Sequence, residues 1–508
     1  MKAIPKIPPS LKNPIKLERL LKTKPENYWI ERGEKRAIEL FHLMSKRVPA
    51  YKDFLKKNRI DPGRIKTIKD FKNVPFIDKN NYIRSYPLES LCWDGNIKGR
   101  SWIISATSGS TGELTYFPHE EDQDWQYALE AELYLRANFQ IHKKSTLYIV
   151  GFMMGAWIGG VFTYTAIRLL AKRGGYKISV ITPGIDKIGI INAVKKLGHH
   201  FDQIIIGSYG PFLKDVLDDG VRLGLNWKEY NLGFIFSAEG FSEEVRDYVL
   251  RIAGNKNTYT ATLNHYGTVD FGFMSYETPV SILARRIAIK NRNIYKDLFG
   301  DTIKLPTFTQ VFPEQLYFEE VDGVLVGSGY GGLPLVRYDL KDIGGVYGFE
   351  ELKTLFKDNG VDILKKIKEV GITDTVWNLP FVYVFERNDF MVKFYLCDVY
   401  PETIKKALQH PELEKLVTGK FTMMIKFDES KDQYLEINTE LKADIKETKE
   451  LKSRVAKIIA NQLLKENKGY GEVYKQIGGR AIPHVVFWPY EHPQYFRQGI
   501  KQKWVKKE

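Results

Sequence analysis

Between Lys177 and Gly254 the chain alternates short apolar runs with segments of helical period. KISVI, QIIIG and LGFIFS read as buried strands, and IGIINAVKKLG, PFLKDVLDDG and SEEVRDYVLRIAG read as helices. Such alternation predicts an α/β fold with a largely parallel sheet. Ser242 is placed to cap the last of these helices and Gly254 to end it. Upstream, LERLLK and EKRAIELFHLMSKR predict a mostly helical opening over residues 1–100. After about Arg387 the pattern changes to helix PETIKKALQH, hairpin FTMMIKFDESKDQYLEIN, helix ETKELKSRVAKIIANQLLKEN and strand HVVFW, a small α+β unit. The expected organisation is therefore a large domain over 1–386, with a helical insertion at about 348–371, and a small domain over 387–508.

The run from Leu147 to Ile167, LYIVGFMMGAWIGGVFTYTAI, carries no charge and has the length of a membrane span. Its glycine-broken middle reads better as strand, tight loop and buried helix. Composition agrees, since 508 residues with 43% hydrophobic content can build more than one core. The formal net charge of +14 arises from 76 basic against 62 acidic residues that are interspersed along the chain. No helix joins a basic stripe to base-stacking aromatics, so no nucleic-acid partner is expected. Cys92 and Cys397 stand too far apart for a CxxC zinc site or a disulfide framework, and the proline-broken, basic N-terminus predicts no export signal. The cytoplasm is the expected compartment.

The run SATSGSTGELT starting at Ser105 concentrates small and hydroxyl side chains with free backbone N–H groups, a composition that suits polyphosphate. It is not a Walker loop, because Glu113 and Leu114 stand where lysine is needed. By itself such a run is as well read as a linker. No GxSxG elbow or HExxH pair occurs, and His199 and His200 lie at a helix end without ligand spacing.

Downstream follow, in order, SAEGFSEEVR from Ser237, HYGTVD from His265, PLVRYDLKD from Pro334, ERNDFMVKFYLCDVYPETI from Glu386 and GIKQKWV from Gly499. This ordered set resembles the adenylate-forming superfamily, and most of all its phenylacetate–CoA ligase branch. RVPAYKDFLKKNRIDPGRIKTIKDFKNVPFIDKNNY fits the helical opening of that branch, so the resemblance spans nearly the whole chain. It implies an ATP- and Mg²⁺-dependent enzyme that turns a carboxylic acid into an acyl-adenylate. Thr107, Ser108, Gly109, Ser110, Thr111 and Gly112 would hold the β- and γ-phosphates, with Ser110 and Thr111 as side-chain donors. Ala238, Glu239 and Gly240 would lie against adenine, while Tyr266, Gly267 and Thr268 would close the nucleotide's other side and reach the α-phosphate. Asp270 stands where an acidic metal ligand, usually glutamate, is found, and Asp342 where a carboxylate accepts hydrogen bonds from both ribose hydroxyls. Asp339 is expected at the surface. Arg387 would pair with the nucleotide, Asp389 would be the hinge of a mobile small domain, and Lys501, with Lys503 in reserve, would be the catalytic lysine. His265 is read either as a contact to the substrate carboxylate or as a packing residue.

The resemblance puts the acyl pocket at Met153, Met154, Trp157, Tyr209, Phe271 and Phe273, an apolar and aromatic set that fits an aryl or medium acyl acid and is equally a plain core set. CoA is the expected acceptor. The segment after the hinge departs from the family, with Tyr395 and Leu396 where a basic residue and a glycine are usual. An amine, a hydroxyl or a protein thiol is the alternative acceptor, and the insertion could shape its site. Asp270 for glutamate, Leu114 for proline and Leu396 for glycine also leave open a nucleotide-binding scaffold without chemistry. The resemblance allows a homodimer.

Overall fold

The structure is a computed structural model that describes residues 4–107, 115–156, 158–237, 240–302, 305–385, 392–395, 397–428, 433–493 and 495–496. Ser108, Gly109, Ser110, Thr111, Gly112, Leu114, Trp157, Ala238, Glu239, Arg387, Asp389, Leu396, Lys501 and Lys503 lie outside the described residues. The chain opens on helices α1 (Pro14–Thr23), α2 (Glu26–Arg47), α3 (Pro49–Lys57), α4 (Ile68–Phe71) and α5 (Leu88–Leu91). A two-stranded ribbon, β1 (Ile103–Thr107) and β2 (Thr115–His119), follows. Next come α6 (Glu121–Phe139), β3 (Thr146–Gly151), α7 (Ile158–Gly174), β4 (Ile178–Ile181), α8 (Lys187–Leu197), β5 (Gln203–Ser208), α9 (Gly210–Arg222), β6 (Leu232–Phe236) and α10 (Glu243–Ala253). Strands β7 (Thr262–Thr268) and β8 (Gly272–Tyr276) then lead into α11 (Pro279–Lys290), α12 (Arg292–Phe299), β9 (Thr307–Gln310), β10 (Leu316–Val321), β11 (Val324–Gly329), β12 (Leu335–Tyr347), α13 (Phe349–Asp358), α14 (Ile363–Glu369) and β13 (Phe381–Val384).

These strands form one 11-stranded sheet in the order β10-β11-β12-β13-β9-β8-β7-β6-β5-β3-β4. β4, β3, β5, β6 and β7 are parallel, and the pairs from β7 to β10 are antiparallel. The α/β alternation expected between Lys177 and Gly254 is thus realised as parallel strands, with β5 and β6 buried on both faces and β4 partly exposed at the sheet edge. Successive side chains point to opposite faces. Tyr148, Val150, Ile205, Ile235 and Leu263 pack under α6 and α7, whereas Leu147, Ile149, Ile204, Ile206 and Phe234 pack under α8, α9 and α10. The uncharged run from Leu147 divides between β3 and α7, and among the described residues no helix is long and apolar enough to cross a membrane.

Ser242 occupies the N-cap position of α10, but its side chain does not cap the helix. Its hydroxyl donates instead to Gln409 Oε1 at 2.8 Å, a partner 167 residues further along the chain. Gly254 does end α10 in the left-handed conformation at φ 67°.

The stretch expected as an insertion folds as α13 and α14, whose Leu352, Phe356, Ile363 and Ile367 pack with Leu298 and Phe299 of α12. Glu26, at the start of α2, caps α13 from outside by accepting from the backbone N–H groups of Phe349 and Glu350. Burial holds this carboxyl above the ordinary carboxylate range. Glu26→Ala leaves the buried Phe349 N–H unpaired, and loss of a cap costs about 0.5–2 kcal/mol. The expected result is faster hydrogen exchange confined to the amides of α13 and α14; unchanged protection there would contradict the capping role.

Beyond residue 391 the chain builds a second core. β14 (Val392–Phe394) pairs with β15 (Cys397–Val399), and α15 (Pro401–Leu408), β16 (Val417–Phe427), β17 (Gln433–Leu441), α16 (Lys449–Glu466), α17 (Lys468–Ile477) and β18 (His484–Trp488) follow. β16 and β17 are antiparallel, β18 joins β17 in parallel, and Phe421, Ile437, Val455 and Ile459 fill the space beneath α15 and α16. Asp215, Asp218 and Asp219 lie on one face of α9 and meet Lys420 at 2.5 Å, Lys442 at 2.8 Å and the Tyr490 hydroxyl at 3.0 Å, so acids of the large sheet's helix layer pair with donors of the C-terminal unit.

Candidate active site

The C-terminal end of β7 brings the predicted nucleotide residues to β12. The Tyr266 hydroxyl donates to Asp342 Oδ2 at 2.7 Å, and the Tyr266 ring stacks along Phe318 at 6.2 Å. Next in β7 is Gly267, where a Cβ would sit 2.6 Å from the Gly272 carbonyl oxygen, so the close approach of β7 and β8 admits only glycine. The Thr268 hydroxyl is turned into its own turn, accepting from the Phe271 N–H at 3.3 Å. Asp270 is buried and accepts from the Tyr338 hydroxyl at 2.5 Å. Asp339 bonds instead with Lys341 at 2.5 Å, at the margin.

Lys79 completes this group and was not foreseen from the sequence. Its Nζ lies 3.5 Å from Asp270 Oδ1 and 6.0 Å from the centre of the Phe117 ring on β2. The helical opening delivers it: Ile77 N–H donates to the Arg337 carbonyl at 3.1 Å, and Asp339 N–H donates to the Ile77 carbonyl at 2.9 Å, so the segment before Lys79 runs along β12. The lysine of PFIDKNNY was the available signal, but in a chain with 76 basic residues a single lysine does not stand out. Tyr266 with Asp342, and Tyr338 with Asp270 and Lys79, thus form two polar groups where the end of β7 faces β12. The chemistry of Asp270 suits a hard cation: Oδ1 is engaged, and one further carboxylate oxygen is what Mg²⁺ asks of a site where phosphates and water supply the rest. Among the described residues no group of three or more ligating side chains forms a metal cage of its own.

Of the residues expected against adenine, Gly240 is described, and Lys405 of α15 approaches its carbonyl oxygen at 3.5 Å. Behind it lies a buried ion network. Arg246 reaches Glu243 at 2.9 Å, Glu277 at 2.8 Å and the Thr262 hydroxyl at 2.6 Å, while Arg285 reaches Glu243 and, at 2.5 Å, the Phe241 carbonyl.

Thr107 ends β1 opposite Thr115 of β2, so the two strands form the stem of the hydroxyl-rich loop. On that stem Ser105 Oγ lies 3.3 Å from His119 Nε2, and Asp124 Oδ1 lies 3.9 Å from His119 Nδ1. The order imitates a nucleophilic triad. The second distance is too long for a hydrogen bond, all three residues are buried, and burial drives His119 down to about 4 and Asp124 up to about 7. The trio is therefore a structural tie.

The predicted acyl residues do not form one cluster. Phe273 and Met154 pack beneath α6 and α7, Phe271 joins the core under the helical opening, and Tyr209 stacks on Phe212 at 5.6 Å beside α9. Met153 is half-buried. His265 is buried among rings, with centres 5.0 Å from Phe273, 5.1 Å from Tyr134 and 6.0 Å from Tyr127.

No protein-family model matches the chain, and no curated protein matches it. Solved structures do. 2-Hydroxyisobutyryl-CoA ligase in the postadenylation state in complex with 2-HIB-AMP superposes with a TM-score of 0.65 at 16% identity, covering 96% of this chain and 92% of that one. The same ligase in complex with 2-HIB-AMP and CoA in the thioesterification state gives a TM-score of 0.54 at 16% identity, over 96% of this chain and 91% of that one. The AtGH3.15 acyl acid amido synthetase in complex with 2,4-DB gives 0.54 at 13% identity, over 95% of both chains. The chain has the fold of these adenylate-forming ligases over nearly its whole length. Identities this low speak to the fold; the phenylacetate–CoA ligase branch rests on the sequence motifs.

Proposed function

We propose that this protein is an AMP-forming carboxylate ligase that joins an aryl or medium acyl acid to the α-phosphate of ATP and passes the acyl group to an acceptor, CoA in the first instance. The observation that carries the reading is the Tyr266–Asp342 hydrogen bond beside the Tyr338–Asp270–Lys79 cluster, at the end of β7 in an adenylate-forming fold. Asp342 is acceptor-only and suits a pair of ribose hydroxyls, with Tyr266 fixing its orientation. Lys79 brings positive charge to the phosphate side, and the hydroxyl-rich loop and Lys501 complete the neutralisation. Asp270 would hold a Mg²⁺ ion, which would supply charge neutralisation at the phosphates. The small domain beyond the hinge at Asp389 carries Lys501 to the α-phosphate.

A second reading of the acceptor has its own support. Tyr395 holds φ at 50°, a conformation that favours glycine, and the next residue in sequence is Leu396, where the resemblance puts the glycine of the CoA ligases. Transfer to an amine, a hydroxyl or a protein thiol relieves that conflict, and this fold is used by a CoA ligase and by an amido synthetase.

Acid-dependent ATP–pyrophosphate exchange tests the first half, and the same reactions supplied with CoA, amines or carrier proteins assign the second. ATP binding with no exchange for any acid would leave a nucleotide-binding scaffold. Within the reading, Tyr266→Phe removes a hydrogen bond to a charged group, worth about 1.5–3 kcal/mol. The KM for ATP is expected to rise by about tenfold or more, with kcat changed less, and an unchanged KM would separate Tyr266 from the nucleotide.

A further inference from the structure

Helix α6 is buried nearly all round, and its stripe facing β7 and β8 is not uniformly apolar. Tyr127, Glu130 and Tyr134 are helical neighbours at i, i+3 and i+7. Opposite them stand His265 of β7 and Tyr276 of β8, directly paired across the two strands. Tyr127 stacks on Phe273 at 4.7 Å, and Tyr134 meets Tyr276 at 5.0 Å and His265 at 5.1 Å. Glu130 is 0% exposed, and its charge would bear on the Tyr276 hydroxyl. Among the described residues neither carboxyl oxygen of Glu130 has a hydrogen-bond partner, and neither has Nε2 of His265.

A buried polar group left unpaired costs about 1–3 kcal/mol, so these three atoms, with the Tyr134 hydroxyl that likewise lacks a partner among the described residues, call for a partner the protein itself does not provide. The place is informative. His265 immediately precedes the nucleotide-side Tyr266, and Phe273, assigned to the acyl pocket, is part of the same ring cluster. Burial holds the carboxyl of Glu130 well above the ordinary range and His265 down at about 3, which favours the uncharged form of both groups. A neutral carboxyl donates and accepts, and a neutral imidazole does likewise. A cationic tail would force Glu130 to ionise in an apolar setting, and a purely apolar tail would leave all three atoms unpaired.

We propose that Glu130 and His265 form the polar end of the acyl site and select a carboxylic acid whose tail carries a hydroxyl group. The inference rests on the adenylation reading above and adds the class of acid. A site that hydrogen-bonds a substrate hydroxyl rejects the analogue lacking it by factors of about 10⁴ or more in the strongest cases, whereas an apolar pocket discriminates weakly.

The test is ATP–pyrophosphate exchange on matched acids: phenylacetate against its para-hydroxy derivative, and octanoate against its omega-hydroxy derivative. The full-length wild type is expected to favour one or both hydroxylated partners by about a hundredfold in kcat/KM. Glu130→Leu and His265→Phe should bring that ratio to within about tenfold of unity, while Glu130→Gln, which still donates and accepts, should keep most of it. Thermal unfolding of each variant identifies any that fails to fold, and the wild-type ratio and Glu130→Gln then decide. Equal or better exchange with both plain acids overturns the inference and leaves the adenylation reading standing. So does a hydroxyl preference that survives both apolar variants. No exchange with any acid of a broad panel overturns the adenylation reading itself, and this inference with it.

Discussion

Replacing Arg246 with alanine should destabilise the protein by about 3–5 kcal/mol, the range found when one partner of a buried ion pair is removed. The guanidinium is 0% exposed, and Glu277, 1% exposed, has Arg246 as its cationic partner at 2.8 Å. Glu243 keeps Arg285 and Arg286 in the variant, so the stranded charge is the one on Glu277. The double variant Arg246→Met with Glu277→Leu removes both members of the pair and should recover much of the loss. Urea unfolding followed by tryptophan fluorescence measures both. A single variant that loses less than about 1 kcal/mol would show that the network is not a buried charge balance. Arg246 also lies over the Phe241 ring at 4.9 Å, next to Gly240, which is expected against adenine, so the nucleotide KM should rise in the single variant before it unfolds.

The second large effect belongs to Lys501. Attack of a carboxylate on the α-phosphate brings two anions together and gathers charge on phosphorus oxygens, and a preorganised cation stabilises both. Loss of one such donor typically costs about a hundredfold to a thousandfold in rate. Lys501→Ala is expected to lower acid-dependent ATP–pyrophosphate exchange by that factor with little change in ATP binding. Lys503→Ala, two residues on, should leave exchange nearly intact. The reverse pattern would move the role to Lys503, and no effect from either would remove the terminal lysines from the chemistry.

Much of the fold was legible because the hydrophobic period is local information. The strands KISVI, QIIIG and LGFIFS and the helices between them form where the pattern puts them, and the run from Leu147 breaks at its glycines into β3 and α7. What escaped was set by distant partners. The Ser242 hydroxyl serves Gln409 rather than its own helix, and α13 is capped by a glutamate more than 300 residues away, in α2. The acyl set came from the resemblance and included Phe271 and Phe273, but Gly272 between them turns the backbone to φ 79°, and the two rings enter different cores. Lys79 reaches the site only because residues before it run beside β12. The polar stripe of α6 has no amphipathic signature, since a helix buried on every side shows no face to the sequence.

The central claim is that the bond formed joins a carboxylate oxygen to the α-phosphorus of ATP, and heavy-oxygen transfer tests it most directly. With an acid labelled in both carboxylate oxygens, turnover in the presence of acceptor should yield AMP carrying one heavy oxygen, together with pyrophosphate, as read by mass spectrometry of the nucleotide. Unlabelled AMP, or release of ADP and phosphate instead, would contradict it.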